Sequence, residues 1–169
     1  MAILNPDHLF DQAEKLVAPP PAGPPRQVDL RRGISAAYYG LFHYCLTAVA
    51  DEFVGVTQRA TSRYALVYRS IDHKTLKELC MEAKKQTPPA KYVPDFPSGG
   101  FDPSIQAFST AAIELQEKRH RADYNPQPRF RTSDANLAIS TARSAVQRFQ
   151  AANDEHRKLF LTLLISLPR

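Results

Sequence analysis

The chain has 169 residues, 43% of them hydrophobic and 23% charged, a length and balance that fit one soluble globular domain able to bury a core of its own. Its net charge of +5 and pI near 9.3 tilt it towards an acidic partner such as RNA, although the basic residues are spread along the chain with no dense Lys/Arg run. The opening "MAILNPDHLFDQ" lacks the basic start and apolar core of a signal peptide, and the longest apolar run, "LFLTLLISL", falls short of the ~20 residues a membrane span needs, so a cytoplasmic protein with no membrane association is expected.

Asn5 or Asp7 can cap a first helix from about Pro6 to Val17, with Leu9, Ala13 and Leu16 on one side. "APPPAGPPR", Ala18 to Arg26, then interrupts it, because proline lacks the amide hydrogen and clashes with the preceding turn. The second helix runs from about Val28 to Phe53. Its stripe Leu30, Ile34, Ala37, Leu41, Tyr44 and Ala48 lies beside another of Tyr38, Phe42, Cys45 and Val49, so it is expected to be central, with neighbours on two sides. A third face, Arg32, Ala36, Tyr39, Gly40 and His43, is narrow and floored by small residues; it suits a packing or dimer seam, or a Tyr39–His43 pair able to transfer protons.

The third helix spans about Ser62 to Lys85, either continuous or broken near "SIDH", and carries Leu66, Ile71, Leu76, Leu79 and Cys80. Cys45 and Cys80 sit far apart in helical patterns and read as buried free thiols, which fits a reducing compartment. The proline-rich stretch "TPPAKYVPDFPSGGFDP", Thr87 to Pro103, separates the two halves. After it, a fourth helix presents Ile105, Phe108, Ala112, Leu115, Arg119 and Ala122 on one stripe and ends at Tyr124, since Asn125 precedes Pro126. The last helix starts near Ser133 and carries Leu137, Ala145, Phe149 and Leu159 on to Leu167. Unbroken it would be about 50 Å long, so it either bends near "AANDEH" or packs its apolar end on something else. No stretch alternates as a strand does, and the whole chain, 1–169, reads as a single all-α bundle.

The residue that stands out is Arg119, a charge in an apolar stripe. Such a charge is costly unless paired or facing a wet cleft, and Asp123, one turn on, is its natural partner. The pair can be structural, or Arg119 can be a phosphate-binding arginine at the mouth of a groove. His120 and Arg121 project away from the stripe, and Tyr124 can stack on a base, bond a phosphate or cap the core. No zinc spacing, phosphate-cradling glycine loop or nucleophile elbow is present, so no metal or cofactor is expected.

"RRGISAAYYGLFHYCL", Arg31 to Leu46, resembles the signature helix of the HEPN superfamily, and "RHRADYNP", Arg119 to Pro126, resembles its second signature. The similarity covers about Leu30 to Leu164. It implies an up-and-down bundle of four to five helices forming a homodimer. It further implies membership of a defence, toxin–antitoxin or RNA-metabolism system, as a metal-independent endoribonuclease, an RNA-binding module or a non-catalytic partner of a separate nucleotidyltransferase. The histidine that nuclease members carry shortly after the motif arginine would fall at Tyr124, Asn125 or Pro126 counted from Arg119, or at Pro126, Gln127 or Pro128 counted from Arg121. None is histidine.

What carries over is Arg119 as the motif arginine, Asp123 as the polar residue between, and Tyr124 where histidine would stand. Cleavage needs a base for the 2′-hydroxyl and a cation for the developing charge. A phenol, which titrates near about 10, is a poor base at neutral pH. The expected function is therefore RNA binding with weak or no nuclease activity, using Arg119, His120, Arg121 and Tyr124, with Arg119, Asp123 and Tyr124 as the catalytic set if there is one. Arg32, Tyr39 and His43 are secondary candidates, and His43 or His120 could supply a base across a dimer cleft.

Overall fold

The structure, a computed structural model, describes residues 4–166. Seven α-helices and no strand are found among the described residues: α1 (Pro6–Val17), α2 (Gln27–Phe53), α3 (Ser62–Tyr68), α4 (His73–Ala83), α5 (Pro103–Tyr124), α6 (Thr132–Ala151) and α7 (Asp154–Ile165). Most helix starts follow side-chain caps. Asn5 accepts from the Asp7 amide, and Asp102 from the amides of Ser104 and Ile105, each with proline as the first helical residue.

The count exceeds the four to five expected because two long periodic stretches are broken by capping residues. Asp72 accepts from the Thr75 amide and starts α4 afresh after the "SIDH" break. Asn153 accepts from the His156 amide and starts α7. Two further details differ at α6. It begins at Thr132, one residue before Ser133, and Asp134 reaches back to the Arg131 amide in place of a serine cap. Leu167 lies outside the described residues.

α2 is the centre, packed by α1, α3, α5, α6 and α7. Leu30, Ile34, Ala37 and Leu41 of one expected stripe and Tyr38, Phe42, Cys45 and Val49 of the other are buried, while Tyr44 and Ala48 are half-buried. On its small-residue face, expected to suit a packing or dimer seam, Gly40 packs against α1, while Arg32 and Tyr39 line a cleft with α5. A Cβ on Gly40 would come 2.5 Å from the Phe10 ring, and one on Gly33 2.5 Å from Val17. That close approach turns α1 so that Phe10, Ala13 and Val17 face the core, while Leu9 and Leu16 stay half-buried.

The apolar C-terminal stretch is likewise used inside the chain. α7 folds back so that Phe160, Leu161, Leu163 and Leu164 are buried, and the Phe160 ring lies 5.5 Å from Phe149, 5.7 Å from Phe108 and 6.0 Å from Phe101. The turn between α6 and α7 is fastened to the start of α5, where Asp102 accepts from the Asn153 amide and donates its own amide hydrogen to His156 Nδ1.

Two leucines assigned to the core are exposed. Leu66 is turned out because α3 is only seven residues long and buries Tyr64 instead. Leu137 is turned out because α6 packs through Ala135, Ala138, Ile139, Ala142, Ala145 and Phe149, an alanine-rich face that lets the helix sit close. Cys45 and Cys80 are buried free thiols, and burial pushes the Cys80 thiol up to about 12. Among the described residues no helix is long and apolar enough to cross a membrane.

Candidate functional site

Proline decides where the site forms. α5 stops at Tyr124, and the chain then runs through Asn125-Pro126-Gln127-Pro128 over the first turns of α2. This leaves an open cleft of about 890 Å³, walled by Gln27, Arg31, Arg32 and Tyr39 of α2, by Arg119, Asp123 and Tyr124 of α5, and by residues 125–129.

Arg119 forms the floor, its side chain 14% exposed. Burial works against its charge, but the Tyr39 hydroxyl and the nearby Asp123 outweigh it and hold its pKa above the ordinary value. Its Nη2–H donates to the Tyr39 hydroxyl at 2.5 Å, and its Nε lies 3.0 Å from Asp123 Oδ2. The latter contact is an ion pair without a directed hydrogen bond, so Nε keeps an unused N–H. Three rings surround the guanidinium carbon, Tyr39 at 5.1 Å, Tyr124 at 5.5 Å and Tyr38 at 6.0 Å from their centroids. Asp123 also accepts from the hydroxyl of the buried Ser35, which ties the ion pair to α2. The expected Arg119–Asp123 pair is thus made, and Arg119 also lines the cleft.

The other candidates divide. Tyr124 is 63% exposed at the cleft, free to offer a ring face, and Arg32 is exposed beside it. His120 and Arg121 are exposed but line a separate shallow depression with Lys77, Gln116 and Glu117, the His120 ring 5.0 Å from that of Tyr124. The Tyr39–His43 pair is not formed. The charge-assisted bond to Arg119 takes the Tyr39 hydroxyl, and His43 Nδ1 pairs with the Tyr68 hydroxyl at 2.7 Å, its ring centroid 6.2 Å from that of Tyr39.

Several neighbours were not legible in the sequence. Gln27 and Arg129 carry no motif, and Ser35 lies in the quoted stretch without any sign of its bond to Asp123. Arg31 stands in the quoted stretch, but only the fold brings it to the carbonyls after α5. His73 is brought in from α4: its Nδ1 pairs with the Tyr38 hydroxyl at 2.8 Å, and its ring lies 4.0 Å from Phe42 and 5.7 Å from Tyr39. Burial lowers its pKa, helped by the Arg119 charge, and burial also lowers that of His43.

A histidine with a depressed native pKa binds fewer protons folded than unfolded. Its contribution to stability is therefore full above the ordinary value of about 6.5 and lost as the pH falls below it. Urea unfolding is expected to give falling midpoints from about pH 7 to about pH 5, with the fall reduced in His73→Gln. An equal fall in that variant would remove His73 as a source.

Among the described residues no group of three or more histidine, cysteine, aspartate or glutamate side chains is arranged to hold a metal ion. Comparison of the chain with family models, curated proteins and solved structures gives no match.

Proposed function

We propose that this chain is a HEPN-like, RNA-associated protein of a defence, toxin–antitoxin or RNA-metabolism system, a cytoplasmic homodimer that binds RNA in the α2–α5 cleft with weak or no nuclease activity. The observation that carries the reading is the setting of Arg119, a guanidinium oriented by Tyr39, Asp123 and three rings on the floor of an open polar cleft. A preorganised arginine beside an exposed tyrosine suits a phosphate next to a stacked base. Arg32 and Arg129, exposed and without a carboxylate partner among the described residues, add charge along the same cleft. Asp123 orients Arg119 rather than taking a proton, since it is already engaged by Ser35 and the guanidinium. The homodimer is supported by the family resemblance alone; the apolar end of the last helix is buried within the chain, and Gly40 of the small-residue face packs on α1.

One observation favours a ribonuclease with a relocated base. His73, whose pKa burial and the Arg119 charge lower, has its ring 5.7 Å from that of Tyr39, the residue that holds Arg119. Incubating wild type and Arg119→Ala with mixed single-stranded RNAs in EDTA separates the readings. Binding without cleavage is expected. Cleavage that Arg119→Ala abolishes would make the chain a ribonuclease, and neither binding nor cleavage would leave partnership with a nucleotidyltransferase.

A further inference from the structure

Two adjacent arginines at the start of α2 face the same cleft in opposite circumstances. Arg32 is exposed and makes no ion pair or side-chain hydrogen bond among the described residues. Both terminal nitrogens of Arg31 are engaged by backbone. Its Nη1 donates to the carbonyls of Ala122 at 2.8 Å and Asn125 at 2.7 Å. Its Nη2 donates to those of Pro126 at 3.2 Å and Pro128 at 2.6 Å. Its guanidinium carbon also lies 5.3 Å from the Phe130 ring centroid.

One turn earlier, Gln27 donates to the Phe130 carbonyl at 2.7 Å and accepts from the Phe130 amide at 2.9 Å. The segment between α5 and α6 has no ladder of its own, and its two prolines supply no N–H. Two side chains of α2 therefore bind most of its carbonyls.

We infer that Arg31, assisted by Gln27, is a positioning residue: it fixes the 125–130 wall of the cleft against α2 and does not itself bind the ligand. The wall carries Arg129, so its placement sets where that charge stands relative to Arg119 and Tyr124 on α5. The carbonyl end of α5 concentrates partial negative charge, which a planar cation with five donors satisfies and a three-donor ammonium satisfies only in part. With its donors spent on carbonyls, Arg31 has little left for a phosphate. The phosphate contact on this helix belongs to Arg32, so two neighbouring arginines in one motif do different work.

This inference rests on the RNA-binding reading for its functional arm, and its test has a second arm that does not. The first arm measures affinity of the full chain for a mixed-sequence single-stranded RNA against salt for Arg31→Gln, Arg31→Lys and Arg32→Gln. Arg31→Gln is expected to lose at least about tenfold in affinity while the slope of log K on log salt stays at the wild-type value. Arg32→Gln is expected to reduce that slope by about 0.7. Arg31→Lys should fall between wild type and Arg31→Gln.

The second arm follows amide hydrogen exchange at Gln127 and Phe130 without RNA, which should accelerate in Arg31→Gln and, at Phe130, in Gln27→Ala. Exchange in the middle of α6 stays protected, which separates local release from global unfolding. A slope reduction in Arg31→Gln equal to that in Arg32→Gln, unchanged affinity, or unchanged exchange at both amides would overturn the inference. If wild type binds no RNA, the RNA-binding reading fails, and the exchange arm still decides whether Arg31 holds the wall.

Discussion

Arg119→Gln is expected to weaken binding of single-stranded RNA by about 1.5–3 kcal/mol, roughly ten- to 150-fold, the value of a charge-assisted hydrogen bond made out of bulk water. The loss is large because Arg119 needs no reorganisation on binding: Tyr39, Asp123 and three tyrosine rings already hold it on the cleft floor. Arg119→Lys keeps the charge but loses the planar fork that meets Tyr39 and a phosphate together, so an intermediate affinity is expected. Fluorescence anisotropy with a labelled RNA reads both, and far-UV circular dichroism checks that the variants keep their helices. Wild-type affinity in Arg119→Gln would place the binding surface elsewhere, with the His120–Arg121 depression the next to test.

Phe108→Ala is expected to destabilise the chain by about 3–5 kcal/mol, as truncation of a buried aromatic does when its surroundings cannot collapse. Phe108 is fully buried, with its ring centroid 4.8 Å from Phe149 and 5.7 Å from Phe160, so the void opens where α5, α6 and α7 meet. Against a usual total of about 5–15 kcal/mol, such a loss takes a large share of the stability. Urea unfolding measures it, with Leu137→Ala as the exposed control at within about 0.5 kcal/mol. A cost below about 1 kcal/mol for Phe108→Ala would mean that α7 is not docked as described.

The same contrast between Phe108 and Leu137 marks what the sequence could and could not convey. On α5 the stripe from Ile105 to Ala122 is unambiguous, and every apolar member is buried, because the helix bears one apolar face bounded by Pro103 and by Asn125-Pro126. On α6 alanines alternate with leucine and isoleucine at competing spacings. Hydropathy favours Leu137, while close packing favours the alanines and wins. Proline and capping residues placed most helix ends to within a residue or two, and the two stretches that allow a break or bend, "SIDH" and "AANDEH", are where α4 and α7 start afresh.

At the cleft, the Arg119–Asp123 pair was legible because one turn of helix enforces it. Ser35, His73 and the Arg31 carbonyl contacts were not, because they join segments far apart in the chain and periodicity reports a face but not its partner. The fate of the Tyr39–His43 pair teaches the same lesson. Helical spacing allowed it, and a stronger donor from another helix took the hydroxyl.

The most direct test of RNA binding in the α2–α5 cleft is a salt titration of RNA affinity, in EDTA, for wild type and Arg119→Gln side by side. If Arg119, Arg32 and Arg129 each meet one phosphate, log K falls with log salt at a slope of about −2, at roughly −0.7 per phosphate on a single strand. Arg119→Gln should bind more weakly with a shallower slope. A flat salt response in wild type, or the same slope and affinity in both proteins, would contradict it.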